Sequence, residues 1–207
     1  MALQLVLVRH GESEGNRAGA FTGHSPSPLT PRGRAQARRV AEALGSPRPD
    51  AIYSSDLRRA VDTAAPLADR LGVQVVAREA LRERDMGAWV GRTFADIEAR
   101  DPDDWRRLRD RDPDHRPPGG ESHRECAARV AHALDQIVAD HPDGHVVVFS
   151  HGVAMHHMMR HLLRVDDART LFHVENCALQ RFLLTGAGLV RVQGLNDARH
   201  LHALEDE

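Results

Sequence analysis

Short runs of Val, Leu and Ile alternate along this chain with segments of helical period, and that alternation limits the possible folds more than any other feature. LQLVLVR (3–9), DAIYSS (50–55), VQVVA (73–77), HVVVFS (145–150), LQRFLL (179–184) and LVRVQ (189–193) have strand character. Between them, TPRGRAQARRVAEAL (30–44) offers Thr30 as an N-cap and Pro31 at the first helical position, and DLRRAVDTAAPLADRL (56–71) stops at Gly72, a C-cap residue. ESHRECAARVAHALDQIVADH (121–141) carries Ala127, Val130, Ala131, Leu134, Ile137 and Val138 at helical spacing. Strands that alternate with helices predict an α/β sheet covered on both faces. A chain of 207 residues suits one domain over 1–207. The stretch 101–120, rich in Asp, Pro and Arg, then reads as part of an insertion around 84–120 rather than a boundary.

Composition narrows the classes of function. The formal charge of −2 provides no general attraction to nucleic acid or to a membrane surface, so any preference for anions must be local. No apolar run approaches the roughly 20 residues of a membrane helix, and the first residues do not read as a secretion signal. The two cysteines, Cys126 and Cys177, are far apart, which points to a reducing compartment, with the cytoplasm expected. All 28 basic residues counted as Lys plus Arg are arginines, so a single Arg is weak evidence of a site. Arg106, Arg107, Arg109 and Arg111 in DWRRLRDRDPDHR read as a solvated helix face or loop.

In open α/β sheets the ligand lies beyond the carboxyl ends of the strands. The residues following the strands are RHGESEGN after the first, SSDLRRA after the second and SHGVAMHH after HVVVF. Two strands therefore end in His-Gly pairs, His10-Gly11 and His151-Gly152, with Arg9 beside one and Arg58-Arg59 after a third strand. A neutral imidazole is a good nucleophile near neutral pH, provided its second ring nitrogen donates a hydrogen bond that fixes the tautomer, here to a local backbone carbonyl. Transferred phosphoryl groups call for positioned cations and donors, and arginine supplies a planar bidentate fork.

LVRHGES, SSDLRRA, LRERDMGAW, GGES and FSHG together resemble the histidine phosphatase superfamily, also called the phosphoglycerate mutase-like family, from residue 3 to about 184. The resemblance implies a three-layer α/β/α sandwich with a mostly parallel central sheet, a phosphohistidine intermediate, and no metal or cofactor. It makes His10 the nucleophile, and Arg9, Arg59 and His151 the phosphate pocket. Asn16 and the Thr22-Gly23 turn would be further phosphate contacts, and Glu83 the proton donor that later activates water. His151, protonated among phosphate oxygens, would add positive charge. The implied partner is a small phosphomonoester; nucleic acid and membrane are not implied, and a homodimer is compatible.

Simpler roles compete at several positions. Glu83 lies in the charged string Arg82-Glu83-Arg84-Asp85, Asn16 can cap a turn, and His24 is either a substrate contact or an ordinary loop residue. Ser122 suits an N-cap. His157 and His161 are spaced i, i+4 as in metal-binding helices but lack a third ligand of clear spacing; His156 or His157 could line the substrate mouth. Three functions follow: a phosphatase, a mutase with the same phosphohistidine, or an idle phospho-ligand binding protein. The intact site set disfavours the last. The short RERDMGAWVGRTFADIEARDP resembles the phosphatase branch, whose forms act on sugar phosphates or cobalamin precursors. Val90, where that branch often has an acidic residue, and His24, where mutases usually have an aromatic, depart from the pattern. The 4% aromatic content leans against a nucleobase-specific pocket.

Overall fold

A computed structural model describes residues 2–110, 112–167, 170–186 and 188–204. The six expected strands are present as β1 (Ala2–Arg9), β2 (Ala51–Ser55), β3 (Val75–Arg78), β4 (Gly144–Ser150), β5 (Leu179–Thr185) and β6 (Val190–Asp197), in one sheet of order β3-β2-β4-β1-β5-β6. The pairs β1/β4, β2/β4 and β2/β3 are parallel, whereas β5 runs antiparallel to both its neighbours. The sheet is thus mostly parallel, as expected, with a reversed hairpin strand at one side.

Seven helices occur among the described residues: α1 (Glu14–Arg17), α2 (Pro31–Leu44), α3 (Arg58–Leu71), α4 (Phe94–Arg100), α5 (Pro102–Arg109), α6 (His123–Asp140) and α7 (Gly152–Leu163). Thr30 caps α2 by accepting from the Gly33 N–H, Gly72 closes α3 in the left-handed region at φ 64°, and Ser122 forms a capping box with Glu125 at the start of α6. α7 follows β4 directly, separated from it by His151 alone.

Period-two alternation in the strands feeds two cores. Leu3, Leu5 and Leu7 of β1, with Val146 and Val148 of β4, face Val130, Leu134, Met155 and Met158 of α6 and α7. Val6 and Val8, with Val147 and Phe149, face Val40, Leu44, Ala64 and Leu67 of α2 and α3. The result is helix, sheet, helix. Each fully buried Val or Leu contributes about 1.5–3 kcal/mol, against about 1 kcal/mol for an N-cap. Face patterning therefore outweighs capping in selecting this fold.

The segment after β3 leaves the sheet. Met86, Trp89 and Ile97 form a third, small buried cluster with Phe21, Trp105 and Leu108 packed against it. The arginines of α5 do lie on a solvated face: Arg106 and Arg107 pair with Asp103 and Asp112 at 2.9 and 2.8 Å, and Arg109 with Asp110 at 3.6 Å. Arg111 lies outside the described residues.

Candidate active site

Strand order explains why distant residues meet. β2, β4 and β1 are neighbours, and their carboxyl ends deliver Arg59, His151 and His10 to one edge. The β1/β4 register pairs Arg9 with Ser150, so His10 and His151 leave the sheet side by side, with ring centroids 5.1 Å apart. Arg59 sits in the first turn of α3 and is 1% exposed. The turn after His10 fits only because two glycines touch: a Cβ on Gly33 would lie 2.0 Å from the Glu12 carbonyl oxygen, and one on Gly11 2.5 Å from that of Gly33.

His10 Nδ1 donates to the Gly11 carbonyl at 2.7 Å, which leaves Nε2 with its lone pair. The Arg59 Nε–H points to that nitrogen at 3.3 Å, while Arg59 Nη2 and Nη1 donate to the Gly23 and Ser25 carbonyls at 2.8 and 3.3 Å. Burial, then Arg59 and Arg9, push His10 well below the ordinary imidazole value, so the ring is neutral. His151 is fully buried, and neither ring nitrogen has a hydrogen-bond partner among the described residues. Burial first, with Arg59, His10, Arg9 and His24 adding to it, also pushes His151 well below the ordinary value. Two guanidiniums and desolvation thus favour the neutral ring, and a cationic His151 requires the phosphate oxygens among which it was expected. Arg9 donates from Nη1 to the Val174 carbonyl at 2.6 Å, and its buried Nε has no partner among the described residues.

Glu83 is not a surface ion-pairing residue. Its Oε2 accepts from the Val153 N–H at 3.1 Å, and its Oε1 from Ala154 and Arg84 N–H at 3.0 and 2.9 Å, which seats the carboxylate on the N-terminus of α7. A Cβ built on Gly152 would lie 3.6 Å from Arg9 Cζ and 3.8 Å from Glu83 Oε2, so both groups cover the same glycine beside His151. His24 donates from Nε2 to the Glu83 carbonyl at 2.7 Å, and its Nδ1 is 3.9 Å from Asp85.

Asn16 does cap: its Oδ1 accepts from the Ser13 N–H and hydroxyl at 3.2 and 3.1 Å. The same oxygen accepts from Asn176 Nδ2 at 3.2 Å, and Asn176 also donates to the His10 carbonyl at 2.8 Å. The Thr22 carbonyl closes a turn with Ser25, and Gly23 at φ 46° offers its carbonyl to Arg59; a Cβ there would meet Met86 N at 2.8 Å. Asn176 precedes a strand, where the other site residues follow one. β5 is antiparallel to β1, with Val8 opposite Leu179, so what precedes β5 lies at the site edge. His157 and His161 diverge, toward His123 at 3.1 Å and Asp135 at 2.7 Å. Among the described residues, no group of three or more His, Cys, Asp or Glu is placed to hold a metal ion, and no helix is long and apolar enough to cross a membrane.

Residues 5–198 match the model of the histidine phosphatase superfamily (branch 1). A glucosyl-3-phosphoglycerate phosphatase of Mycobacterium tuberculosis is 38% identical over 178 residues, covering 81% of this chain and 78% of that protein. The probable phosphoglycerate mutase GpmB of Proteus mirabilis is 38% identical over 181 residues, covering 86% and 84%. The solved structure of a mycobacterial glucosyl-3-phosphoglycerate phosphatase superposes with a TM-score of 0.84 at 32% identity, covering 96% of this chain and all of that one. With His10 and His151 side by side at adjacent strand ends and nearly the whole length matched, this chain belongs to the histidine phosphatase superfamily.

Proposed function

We propose that this chain hydrolyses small phosphomonoesters through a phosphohistidine formed at His10. The observation that carries the reading is His10 itself, locked by Gly11 into the tautomer whose Nε2 lone pair faces Arg59. Nε2 attacks phosphorus, the ester P–O bond breaks, and the leaving alkoxide takes a proton from Glu83. Water then attacks the phosphohistidine, returns a proton to Glu83, and releases inorganic phosphate and free His10. The oxygens of the transferred group meet Arg9, Arg59 and His151, whose buried donors Arg9 Nε and one His151 nitrogen have no partner among the described residues. The negative charge of the phosphoryl group opposes the push that keeps His151 neutral, so a proton on His151 accompanies binding. Asn16, its oxygen already taken, contributes its amide NH₂; the Thr22-Gly23 turn closes the pocket, and His24 lies at its mouth.

The same reading takes 1–207 as one domain with 84–120 as its cover. Two buried, unbridged cysteines suit a cytoplasmic setting. A mutase is the second reading, favoured by the similarity to GpmB. A mutase must exclude water until a bound hydroxyl accepts the phosphoryl group, and the short 84–120 segment supplies little material for that. The test is a parallel measurement, with excess chelator, of phosphate release from a panel of phosphomonoesters and of 3-phosphoglycerate isomerisation primed by 2,3-bisphosphoglycerate. Phosphate release with little isomerisation is expected. Isomerisation that outruns release by a large factor would replace the phosphatase with the mutase.

A further inference from the structure

Arg84, the neighbour of Glu83, is a buried guanidinium, 1% exposed, and no carboxylate pairs with it among the described residues. Its Nε donates to the Glu121 carbonyl at 2.8 Å, Nη2 to the His115 carbonyl at 3.1 Å, and Nη1 to His123 Nε2 at 2.8 Å. A guanidinium only donates, so His123 Nε2 must accept and His123 Nδ1 must carry the proton. That proton points to His157 Nε2 at 3.1 Å, which fixes the tautomer of His157 as well. Burial pushes both imidazoles down to about 3, so both stay neutral and the direction of donation does not reverse near neutral pH.

The path then returns to the site. His157 lies on α7, one helical turn after Val153 and Ala154, whose N–H groups hold the Glu83 carboxylate. From that carboxylate the remaining link is the Arg84 backbone N–H, 2.9 Å from Oε1. We propose that this closed ring, Glu83 to α7 to His157 to His123 to Arg84 and back to Glu83, is a positioning device that aims one oxygen of the proposed proton donor. Oε1 accepts two hydrogen bonds and Oε2 one, and Oε2 is the oxygen over Gly152 beside Arg9. The ring therefore presents Oε2 as the oxygen that bears the exchangeable proton. In the transfer the Oε2–H bond breaks, the proton joins the leaving alkoxide as its P–O bond breaks, and Glu83 is left as carboxylate. His123, His157 and Arg84 touch no reacting atom in this scheme and act through Glu83.

The inference rests on Glu83 as proton donor, and the experiment separates the two ideas. Wild type, Glu83→Gln, His157→Leu and His157→Gln are compared for kcat and KM on nitrophenyl phosphate, whose leaving group needs no proton, and on glycerol 3-phosphate, whose leaving group does. Glu83→Gln is expected to lose about 10²–10⁴-fold in kcat on glycerol 3-phosphate and far less on nitrophenyl phosphate. His157→Leu is expected to show the same selectivity at smaller size, about tenfold or more on glycerol 3-phosphate, because a carboxylate displaced by a fraction of an ångström transfers its proton poorly. KM for nitrophenyl phosphate should hold. His157→Gln, whose amide oxygen accepts from His123, should restore most of the loss. If Glu83→Gln is selective and His157→Leu lowers both esters equally or neither, the ring is structural only and the proposal falls alone. If Glu83→Gln itself loses both equally, the proton-donor reading falls and takes the ring with it. Should His157→Leu not fold, His123→Asn, which keeps a donor and an acceptor at shorter reach, takes its place: a selective loss on glycerol 3-phosphate supports the ring, and equal or absent losses overturn it.

Discussion

His10 is held by four groups: the Gly11 carbonyl fixes its tautomer, Arg59 faces its lone pair, the Asn176 amide holds its carbonyl, and the Ser150 carbonyl accepts its backbone N–H. None of these is an apolar packing contact, and that decides what its removal does. On the proposed mechanism His10→Ala is expected to abolish turnover, a loss on the order of 10³-fold or more, as when a nucleophile is deleted. The far-ultraviolet circular dichroism should stay that of the wild type, because both cores flanking the sheet are untouched. A variant that kept wild-type phosphate release would remove His10 from the mechanism. Losing a neutral buried imidazole also relieves desolvation, so its melting temperature should not fall by much.

At the scale of elements, the site depends on how closely α2 approaches the turn after β1. A methyl on Gly33 would strike the Glu12 carbonyl, a backbone atom that moves only with the His10 turn. Gly33→Ala is therefore expected to cost about 1–3 kcal/mol, the range for overpacking, and to lower kcat more than its loss of stability explains. Urea midpoints together with kcat at saturating substrate check this; unchanged kcat would show that the turn adjusts independently of His10. Much of this level is legible in the sequence. Strand runs, the caps Thr30, Gly72 and Ser122, and the strand-end histidines are local signals, written in two-residue and 3.6-residue periods. α7 is hidden because SHGVAMHH reads first as a strand end, α4 is hidden because its charged sequence has little apolar period, and α5 is left open between helix and loop for the same reason. Asn176 is illegible for a topological reason: only the reversed direction of β5 brings its leading loop to the sheet edge that carries His10. The hold of α7 on the Glu83 carboxylate likewise depends on backbone N–H groups, which no side-chain pattern announces.

For the whole molecule, seven imidazoles share one sign of shift, each lowered first by burial: His115, His145 and His200 together with His10, His123, His151 and His157. His10 and His151 are pushed well below the ordinary value of 6.5, and His123 and His157 to about 3. Below about pH 6.5 the unfolded chain binds protons that the folded chain refuses, so stability is full above that value and declines as pH falls toward 3. Each imidazole contributes at most about 1.4 kcal/mol per pH unit in that window. Depressed carboxylates such as Asp197 act in the same direction at still lower pH. Denaturant midpoints are expected to drop steadily from pH 7 to 4.5, and His157→Gln to flatten the slope. A flat wild-type profile through that range would contradict neutral burial of these rings.

The central position of β1 also has a consequence in time. Leu3 pairs with Gly144 on one side and Leu184 on the other, so the strand that carries His10 is synthesised long before either of its neighbours. At the usual 5–20 residues per second, between about 7 and 30 s separate β1 from the arrival of β4 at the ribosome. Throughout that interval LVLV is an apolar strand with both edges bare, exposed to chaperones and to other nascent chains. A chain that stalls before β4 holds His10 but lacks the neighbouring strands that fix it in the sheet, so partial synthesis leaves an aggregation hazard rather than a weak phosphatase.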